Sequence, residues 1–349
     1  ESAFAAGGAA GGATGTGAQA AAGLDQAEVE RFAGKVAADQ ATSAAAALAW
    51  VGDRLGLWAA LAAIGPAGAD GAVPRTAPPP ALDPVTADVL GLLGVSGGRP
   101  GALVGVWAHP DDETYLSGGL MAAAAAAGAR VVVGAAAAGE LGGDPSGSPA
   151  ALARQRRAEL AAAMDTLGVG EHVLLGCPDG GCAELDPSGP VARIAQVIRA
   201  VQPAAVVTFG PDGYTGHPDH RAVSRWATAA FRQAAPPGAR LLYAVTTAER
   251  HAAEADVDEA LGVYVDRSVP DVPPIVRPEA LALRLRLSGS RLDRKVAALR
   301  AHYSQTAGVL ALLGEDRFAA WVAAEEFVEW PGIPSSRAET AGAADQRGR

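Results

Sequence analysis

The sequence predicts an α/β fold in which helices cover both faces of a Rossmann-like, mostly parallel sheet. Three observations support this prediction. After residue 101, apolar segments of strand length alternate with longer segments of helical periodicity. Several of the short segments are apolar at nearly every position, which is typical of parallel strands buried on both faces. Between residues 25 and 93, in contrast, only helical spacing is found, so a small helical N-terminal segment is expected as well.

The predicted elements follow one another in the order of a doubly wound sheet. Strands are expected at residues 102–108, 130–137, 172–175, 204–209 and 240–245. Helices are expected at residues 84–93, 117–127, 149–167, 190–201 and 220–235. Because strand-helix-strand connections are right-handed, such a sheet carries its ligand site beyond the carboxyl ends of its strands.

Composition divides the chain into four parts. Residues 1–24 form an Ala/Gly-rich tail that is predicted to be disordered, and residues 25–100 hold the helical segment and a Pro/Gly linker. The α/β domain is expected at residues 101–330 and a flexible tail at residues 331–349. The helices of the second part offer a surface through which the chain could form a homo-oligomer.

Charge and cysteine content narrow the class of function. The formal net charge of -10 disfavours a protein that neutralises nucleic acid phosphates or an anionic membrane, so a small molecule is the expected partner. The uncharged stretch at 116–129 is too short for a membrane span. Two cysteines, and no basic residue in the first 24 positions to suggest a secretory signal, favour a cytoplasmic protein.

Two clusters of histidine and aspartate follow predicted strands, AHPDDE at 108–113 and GHPDH at 216–220. His109 and Asp112 would give Zn²⁺ two ligands from one tight turn, and imidazole and carboxylate suit that ion. The second cluster adds further candidates at the same edge of the sheet, namely His217, Asp219 and His220. The sequence therefore predicts one zinc ion per chain with an open position for water.

The remaining groups suggest a division of catalytic work. Asp111 would be free to act as general base on the water, and His217, oriented by Asp219, could stabilise an oxyanion or protonate a leaving amine. Counting groups leaves open which histidine is a ligand and which is an acid.

Three other polar residues have two interpretations each. Glu113 could hold a ligand or cap the following helix. Glu140, in a loop after the second strand, could contact substrate or support the site, or it could be a solvated acid. His302 lies in a pattern shared with a known family, but it is expected on a structural, polar helix face.

The two motifs together resemble those of the LmbE-like family of zinc-dependent N-deacetylases, which includes N-acetylglucosaminyl-phosphatidylinositol de-N-acetylase and the mycothiol and bacillithiol pathway deacetylases. The resemblance covers residues 101–330. It extends to GELGG, RQRRAEL, LGCPDGG and KVAALRAHYSQ, which begin at residues 139, 154, 175 and 295.

The resemblance implies a role for each matching residue. It makes His109, Asp112 and His220 the metal ligands, Asp111 the general base, and His217 the imidazole that acts on the oxyanion or as acid, held by Asp219. Arg156, in an R-x-x-E pattern with Glu159, and Asp179 match positions that contact the sugar. Some members carry a tyrosine where this chain has Thr215; Tyr214, one place earlier, is the candidate substrate contact here.

We therefore expect a zinc hydrolase that removes an acetyl or other small acyl group from the nitrogen of an amino sugar or glycoconjugate. One alternative is a zinc amidase acting on thiol conjugates of the mycothiol type. Another is a non-enzymatic binding or dimerisation protein, because residues 25–93 resemble the helical N-terminal segment of S-adenosylmethionine methyltransferases. Loops at 139–150, 178–190 and 246–280 are expected to select the sugar and its aglycone.

Overall fold

The structure, a computed structural model, describes residues 83–143 and 147–332. Its strands are β1 (Val95–Ser96), β2 (Arg99–Pro100), β3 (Leu103–Trp107), β4 (Val131–Ala135), β5 (Glu171–Leu174), β6 (Ala205–Phe209), β7 (Arg240–Thr247), β8 (Ile275–Val276), β9 (Leu283–Arg286) and β10 (Ala324–Glu329). Its helices are α1 (Pro84–Leu93), α2 (Asp112–Ala126), α3 (Pro149–Leu167), α4 (Ser188–Val201), α5 (Pro218–Ala234), α6 (Ala248–Leu261), α7 (Gly289–Ala301), α8 (Tyr303–Leu313) and α9 (Glu315–Trp321).

The main sheet has the strand order β5-β4-β3-β6-β7-β10-β9, and β8 pairs with β7. The five strands β3 to β7 run parallel to one another, whereas β10 is antiparallel to both β7 and β9. The predicted α/β fold with a mostly parallel sheet is confirmed. The strand order reverses between β3 and β6, which is the switch point where doubly wound sheets bind ligands.

The three central strands are apolar because both of their faces are covered. Every residue of β3, β4 and β6 is buried. Trp107 at the end of β3 packs edge-on against Phe209 at the end of β6, with ring centroids 4.9 Å apart. This contact brings together the ends of the two strands from which the His/Asp clusters continue.

The helices pack in two groups, one on each face of the sheet. This follows because the strand-helix-strand connections are right-handed and run in opposite directions from the switch point. In one group α7 packs against α2 and α3, and in the other α4 packs against α5. The helix α1 adds Val89, Leu92 and Leu93 to the main core, although the sequence placed it in the N-terminal segment.

Two sequence-based expectations differ from the structure. Helix α2 begins at Asp112 rather than at residue 117, because Asp112 and Glu113 form its first turn, where acidic side chains favour the positive end of the helix dipole. The stretch 246–280, expected to be a loop, contains the 14-residue helix α6, which begins after the capping side chain of Thr247.

A buried ion pair ties α2 to the C-terminal elements. Lys295 on α7 and Glu325 on β10 are buried, with Nζ 2.7 Å from Oε1. The Glu325 carboxylate also accepts the backbone N–H groups of Gly119 and Leu120, and Lys295 Nζ donates to the carbonyl oxygen of Tyr115. The pair therefore fixes the middle of α2 against the antiparallel edge of the sheet.

Several expectations lie outside the described residues. These are the disordered tail at 1–24, the methyltransferase-like helices and linker up to residue 82, with the homo-oligomer based on them, and the tail from residue 333. Within residues 83–143 and 147–332, no helix has both the length and the apolar character that a membrane span requires.

Candidate active site

The two His/Asp clusters meet at the carboxyl ends of the neighbouring strands β3 and β6. The first cluster forms the turn from β3 into α2, and the second forms the start of α5, whose N-cap is His217. Asp111 lies at the N-cap of α2 with φ 121°, a strained conformation for a residue with a side chain. Its side chain makes no capping hydrogen bond, so its carboxylate is available to the site.

His109, Asp112 and His220 form a compact set of potential metal ligands, with one ligand atom from each lying within 4.8 Å of the others. The Asp112 carboxylate lies 3.6 Å from His109 Nδ1 and 3.5 Å from His220 Nε2. The two histidine nitrogens are 3.3 Å apart. Two imidazoles and a carboxylate are a donor set that suits Zn²⁺, and three protein ligands leave a position for water.

Neighbouring groups orient both imidazoles as ligands. His220 Nδ1 lies 3.0 Å from the carbonyl oxygen of Gly213, which can only accept, so Nδ1 carries the proton and Nε2 faces the site. The Nε2 atom of His109 faces Asp179 at 3.0 Å and Asp219 at 3.3 Å, and its Nδ1 faces the site. Such outer acceptors fix the tautomer of a ligating histidine.

The titration of two members of the set, His220 and Asp112, agrees directly with a ligand role. Burial lowers the pKa of His220 to about 4, so its imidazole is neutral at pH 7. Burial would raise the pKa of Asp112, but His220 and His109 outweigh this and hold it well below its usual range. At neutral pH the set therefore includes an ionised carboxylate and a neutral imidazole, as metal binding requires. Burial lowers the pKa of His109, but the carboxylates of Asp112, Asp179 and Asp219 outweigh this and raise it, so His109 would release a proton when a metal binds.

A second set, His109, His217 and Asp219, also has one ligand atom from each residue within 4.8 Å of the others. The Asp219 carboxylate and the Nδ1 atom of His217 are already engaged. The Asp219 carboxylate accepts the backbone N–H groups of Gly180 at 2.8 Å and Cys182 at 3.0 Å. His217 Nδ1 accepts the backbone N–H of Asp219 at 3.2 Å. The structure therefore favours the first set as ligands.

His217 is held differently from the sequence-based expectation. The backbone N–H of Asp219 orients the ring, whereas the Asp219 carboxylate contacts His109. Because Nδ1 is an acceptor, the neutral ring carries its proton on Nε2. Burial, together with the nearby His109, lowers the pKa of His217.

Asp111 lies beside the ligand set in a largely buried position. Burial raises the pKa of its carboxyl group to about 7, although the Arg156 guanidinium, 3.3 Å away, acts in the opposite direction. A carboxyl group that titrates near neutrality suits a general base.

The four residues expected to contact substrate occupy different places. Arg156 is buried, and it donates to the carbonyl oxygens of Gly139 and Pro110 as well as lying beside Asp111. The Asp179 carboxylate contacts His109 and accepts the backbone N–H of Leu141.

The other two are nearer to open space. Glu140 is partly exposed, and its carboxylate accepts the backbone N–H of Asp179 at 3.2 Å. Tyr214 is 8% exposed and has φ 63°. Its side chain lines a cavity beside the ligand set.

A pair that the sequence did not assign to the site lies behind Asp111. The Glu113 carboxylate accepts the backbone N–H of Asp111 at 3.0 Å and the Thr114 hydroxyl at 2.7 Å, and it lies 3.0 Å from His302 Nε2. Glu113 and His302 are both buried. Glu113 therefore holds the Asp111 turn, and His302 belongs to the site's support rather than to a polar helix face. The signal in the sequence for this role of His302 was its place in the stretch KVAALRAHYSQ, which begins at Lys295.

The fold and the site define the class of protein, an α/β protein with a candidate His/Asp metal centre at the carboxyl edge of its sheet. Comparison with known proteins gives the family. The family model described as PIG-L, GlcNAc-PI de-N-acetylase, matches residues 104–231. A 1D-myo-inositol 2-acetamido-2-deoxy-alpha-D-glucopyranoside deacetylase of Mycobacterium sp. (strain KMS) is 33% identical in an alignment of 230 residues, which covers 58% of this chain and 73% of that protein.

Solved structures are similar over about two thirds of the chain. A conserved protein of Thermus thermophilus is 27% identical, with 68% of this chain and 100% of that chain covered and a TM-score of 0.44. N,N'-diacetylchitobiose deacetylase of Pyrococcus horikoshii is 22% identical, with 66% and 84% covered and a TM-score of 0.46. From the family match and the mycobacterial relative, the chain belongs to the LmbE-like, GlcNAc-PI de-N-acetylase family, a family of deacetylases.

Proposed function

We propose that this protein is a zinc-dependent hydrolase that removes an acetyl or other small acyl group from the nitrogen of an amino sugar or glycoconjugate. The observation that carries the proposal is the compact set of His109, Asp112 and His220 with the carboxylate of Asp111 beside it. The name of the mycobacterial relative, an acetamido-sugar deacetylase, supports the same substrate class.

His109, Asp112 and His220 would hold the ion, and Asp179 and Asp219 would orient His109. When bound there, Zn²⁺ would act as a Lewis acid on the amide carbonyl and lower the pKa of water to about 7. Asp111 takes a proton from the attacking water. Its carboxylate makes no hydrogen bond to cap the helix α2, and its pKa is about 7.

His217 acts on the amide oxygen and the leaving nitrogen. Its Nε2–H can donate to the oxygen that becomes negative as water adds to the amide carbon. When the C–N bond breaks, His217 gives its Nε2 proton to the nitrogen, which leaves as an amine, and the acyl group leaves as a carboxylic acid. The proton that Asp111 took from water balances the one that His217 gave. The backbone N–H of Asp219 keeps the His217 ring in the orientation that both steps need.

Two substitutions separate metal binding from turnover. We expect Asp111→Asn to retain zinc and to lose turnover by about 10²- to 10⁴-fold, since that is the usual contribution of a general base. We expect His220→Ala to lose zinc. Zinc content by elemental analysis and amine release from N-acetylglucosamine derivatives measure the two effects.

The matched control is His172→Ala, because His172 is exposed on β5, away from the ligand set. It should leave both zinc content and turnover unchanged. Full activity of the Asp111→Asn protein would contradict the base assignment, and full zinc content of the His220→Ala protein would contradict the ligand assignment.

A further inference from the structure

A cavity of about 270 Å³ opens directly from the ligand set. Asp111, Asp112 and His220 lie on its wall, together with Thr215. Residues of α2, α6, α8 and α9 enclose the rest of it. His217 is not among the residues that line it.

We infer that this cavity receives the acyl group of the substrate, and that it selects an acyl chain longer than acetyl with an uncharged oxygen acceptor near its far end. The inference deepens the proposed function and rests on it. In that reaction the leaving nitrogen must be near His217, so the other substituent of the amide carbon points away from His217. The cavity begins at Asp111 and two of the ligands, and its walls do not include His217, as expected of a space that receives this substituent.

The size and walls of the cavity fit a short aliphatic chain. About nine water-sized volumes of ~30 Å³ fill such a space, whereas the methyl group of an acetyl fills about one. The walls are formed largely by aliphatic side chains and one indole, Leu116, Leu261, Val263, Val309, Val322 and Trp321. Burying each additional methylene against such walls favours binding of the longer chain.

The polar groups of the cavity favour an acyl chain that ends in a hydrogen-bond acceptor. Glu254 accepts from Arg250 Nε with both oxygens, at 3.0 and 3.1 Å. Asp258 accepts from the Trp321 indole and the Tyr264 hydroxyl, each at 3.1 Å. The terminal amino groups of Arg250, in contrast, make no hydrogen bond to the described residues, so they remain as donors for a ligand, as do the hydroxyl groups of Tyr115 and Tyr214 on the same wall.

The charge of this end of the cavity decides between a neutral and an anionic acceptor. The carboxylates of Glu254 and Asp258 and the guanidinium of Arg250 line this end of the cavity. Because a third carboxylate would be repelled by the two already there, a ketone or amide oxygen is favoured as the acceptor. The acyl group would therefore be apolar along its middle and would end in an uncharged oxygen acceptor.

The test is a set of four glucosamine amides given to the zinc-loaded, full-length protein. They carry acetyl, hexanoyl, 5-oxohexanoyl and glutaryl groups, so chain length, a terminal ketone and a terminal carboxylate are compared separately. We expect kcat/KM to rise about tenfold or more from acetyl to hexanoyl, given the apolar area that the longer chain buries, and again from hexanoyl to 5-oxohexanoyl. The glutaryl amide should be slower than the 5-oxohexanoyl amide.

Val309→Phe narrows the cavity and should lower the ratio of hexanoyl to acetyl turnover by about tenfold, because the longer chain loses its space. Leu312→Phe is its matched control, because Leu312 is on the same helix, is 62% exposed and does not line the cavity. The double variant Arg250→Gln, Glu254→Gln removes both charges of the pair together and should abolish the advantage of the ketone over the hexanoyl group.

This inference would be overturned if the acetyl amide were the fastest substrate and Val309→Phe did not change the ratio of hexanoyl to acetyl turnover. The deacetylase proposal would then remain intact. A zinc-loaded protein that releases amine from none of the four amides would overturn the proposed function itself. The two failures are therefore distinguishable in one experiment.

Discussion

Glu113 shows how a single buried carboxylate can support a catalytic turn without facing the substrate. It accepts the backbone N–H of Asp111 and pairs with His302, and the strained φ of Asp111 depends on such support. Burial lowers the pKa of the His302 imidazole, but its contact with Glu113 outweighs this and raises it.

We expect Glu113→Gln to lower kcat or zinc affinity by about 10- to 100-fold, the usual effect of altering a group that orients a metal site. The amide keeps the size of the side chain but loses its pairing with His302. Amine release and zinc titration measure the effect. Glu184→Gln, at an exposed position, is the control and should behave as the unmodified protein. Equal activity of the two variants would show that Glu113 does not position Asp111.

The candidate ligand residues could be identified from the sequence because each lies in a short motif directly after an apolar strand. The pairing of Glu113 and Thr114 with His302 could not, since Thr114 and His302 are 188 positions apart and no local pattern links them. For the same reason the contact of Asp179 with His109 was missed, although Asp179 itself was a candidate. A motif specifies what a residue can do, whereas its partner depends on the completed fold.

At the scale of elements, α2 is the helix on which the site depends. Its Ala-rich sequence predicts a helix from residue 117, whereas the helix begins at Asp112, because the turn that carries the metal-ligand candidates is also its first turn. The strands β3 and β6 and the helices α1 and α3 were predicted closely, since their patterns are complete within each segment. The elements after residue 247 were largely missed because their short strands pair with distant partners.

Removing one member of the buried pair of Lys295 and Glu325 should destabilise the protein strongly. We expect Lys295→Met to lower the free energy of unfolding by about 3–5 kcal/mol, because it leaves the Glu325 carboxylate buried without its counter-charge. Urea unfolding followed by circular dichroism measures the change.

Two controls accompany this prediction. Arg294→Met, at an exposed position on the same helix, should change stability by less than about 0.5 kcal/mol. The double variant Lys295→Met, Glu325→Gln should recover part of the loss, because no unpaired charge remains. A single variant as stable as the unmodified protein would show that the pair contributes nothing.

At the scale of the whole molecule, the candidate metal site joins two segments that are far apart in the chain. His109 and His220 are separated by 111 positions and follow strands on either side of the switch point. An ion held by both would bind the folded chain and not the unfolded one, so its binding free energy would add to the stability of the fold.

We therefore expect Zn²⁺ to raise the melting temperature, with a stabilisation of about 2.7 kcal/mol at a free concentration of about 100 times Kd. Differential scanning fluorimetry of the chelator-treated protein, with and without added zinc, measures the shift. Asp112→Asn should abolish most of it, whereas Glu184→Gln should leave it unchanged. An identical shift in all three proteins would indicate zinc binding elsewhere.

The tie between α2 and the C-terminal strand also has a consequence for how the protein is made. The chain leaves the ribosome with its ligand residues first, and all of them have emerged before Lys295 and Glu325 exist. Until β10 is synthesised, the backbone groups of Gly119 and Leu120 lack their carboxylate, and until α7 is complete Glu113 lacks His302. We therefore expect the nascent chain to reach its final metal-binding geometry only when synthesis has passed residue 329.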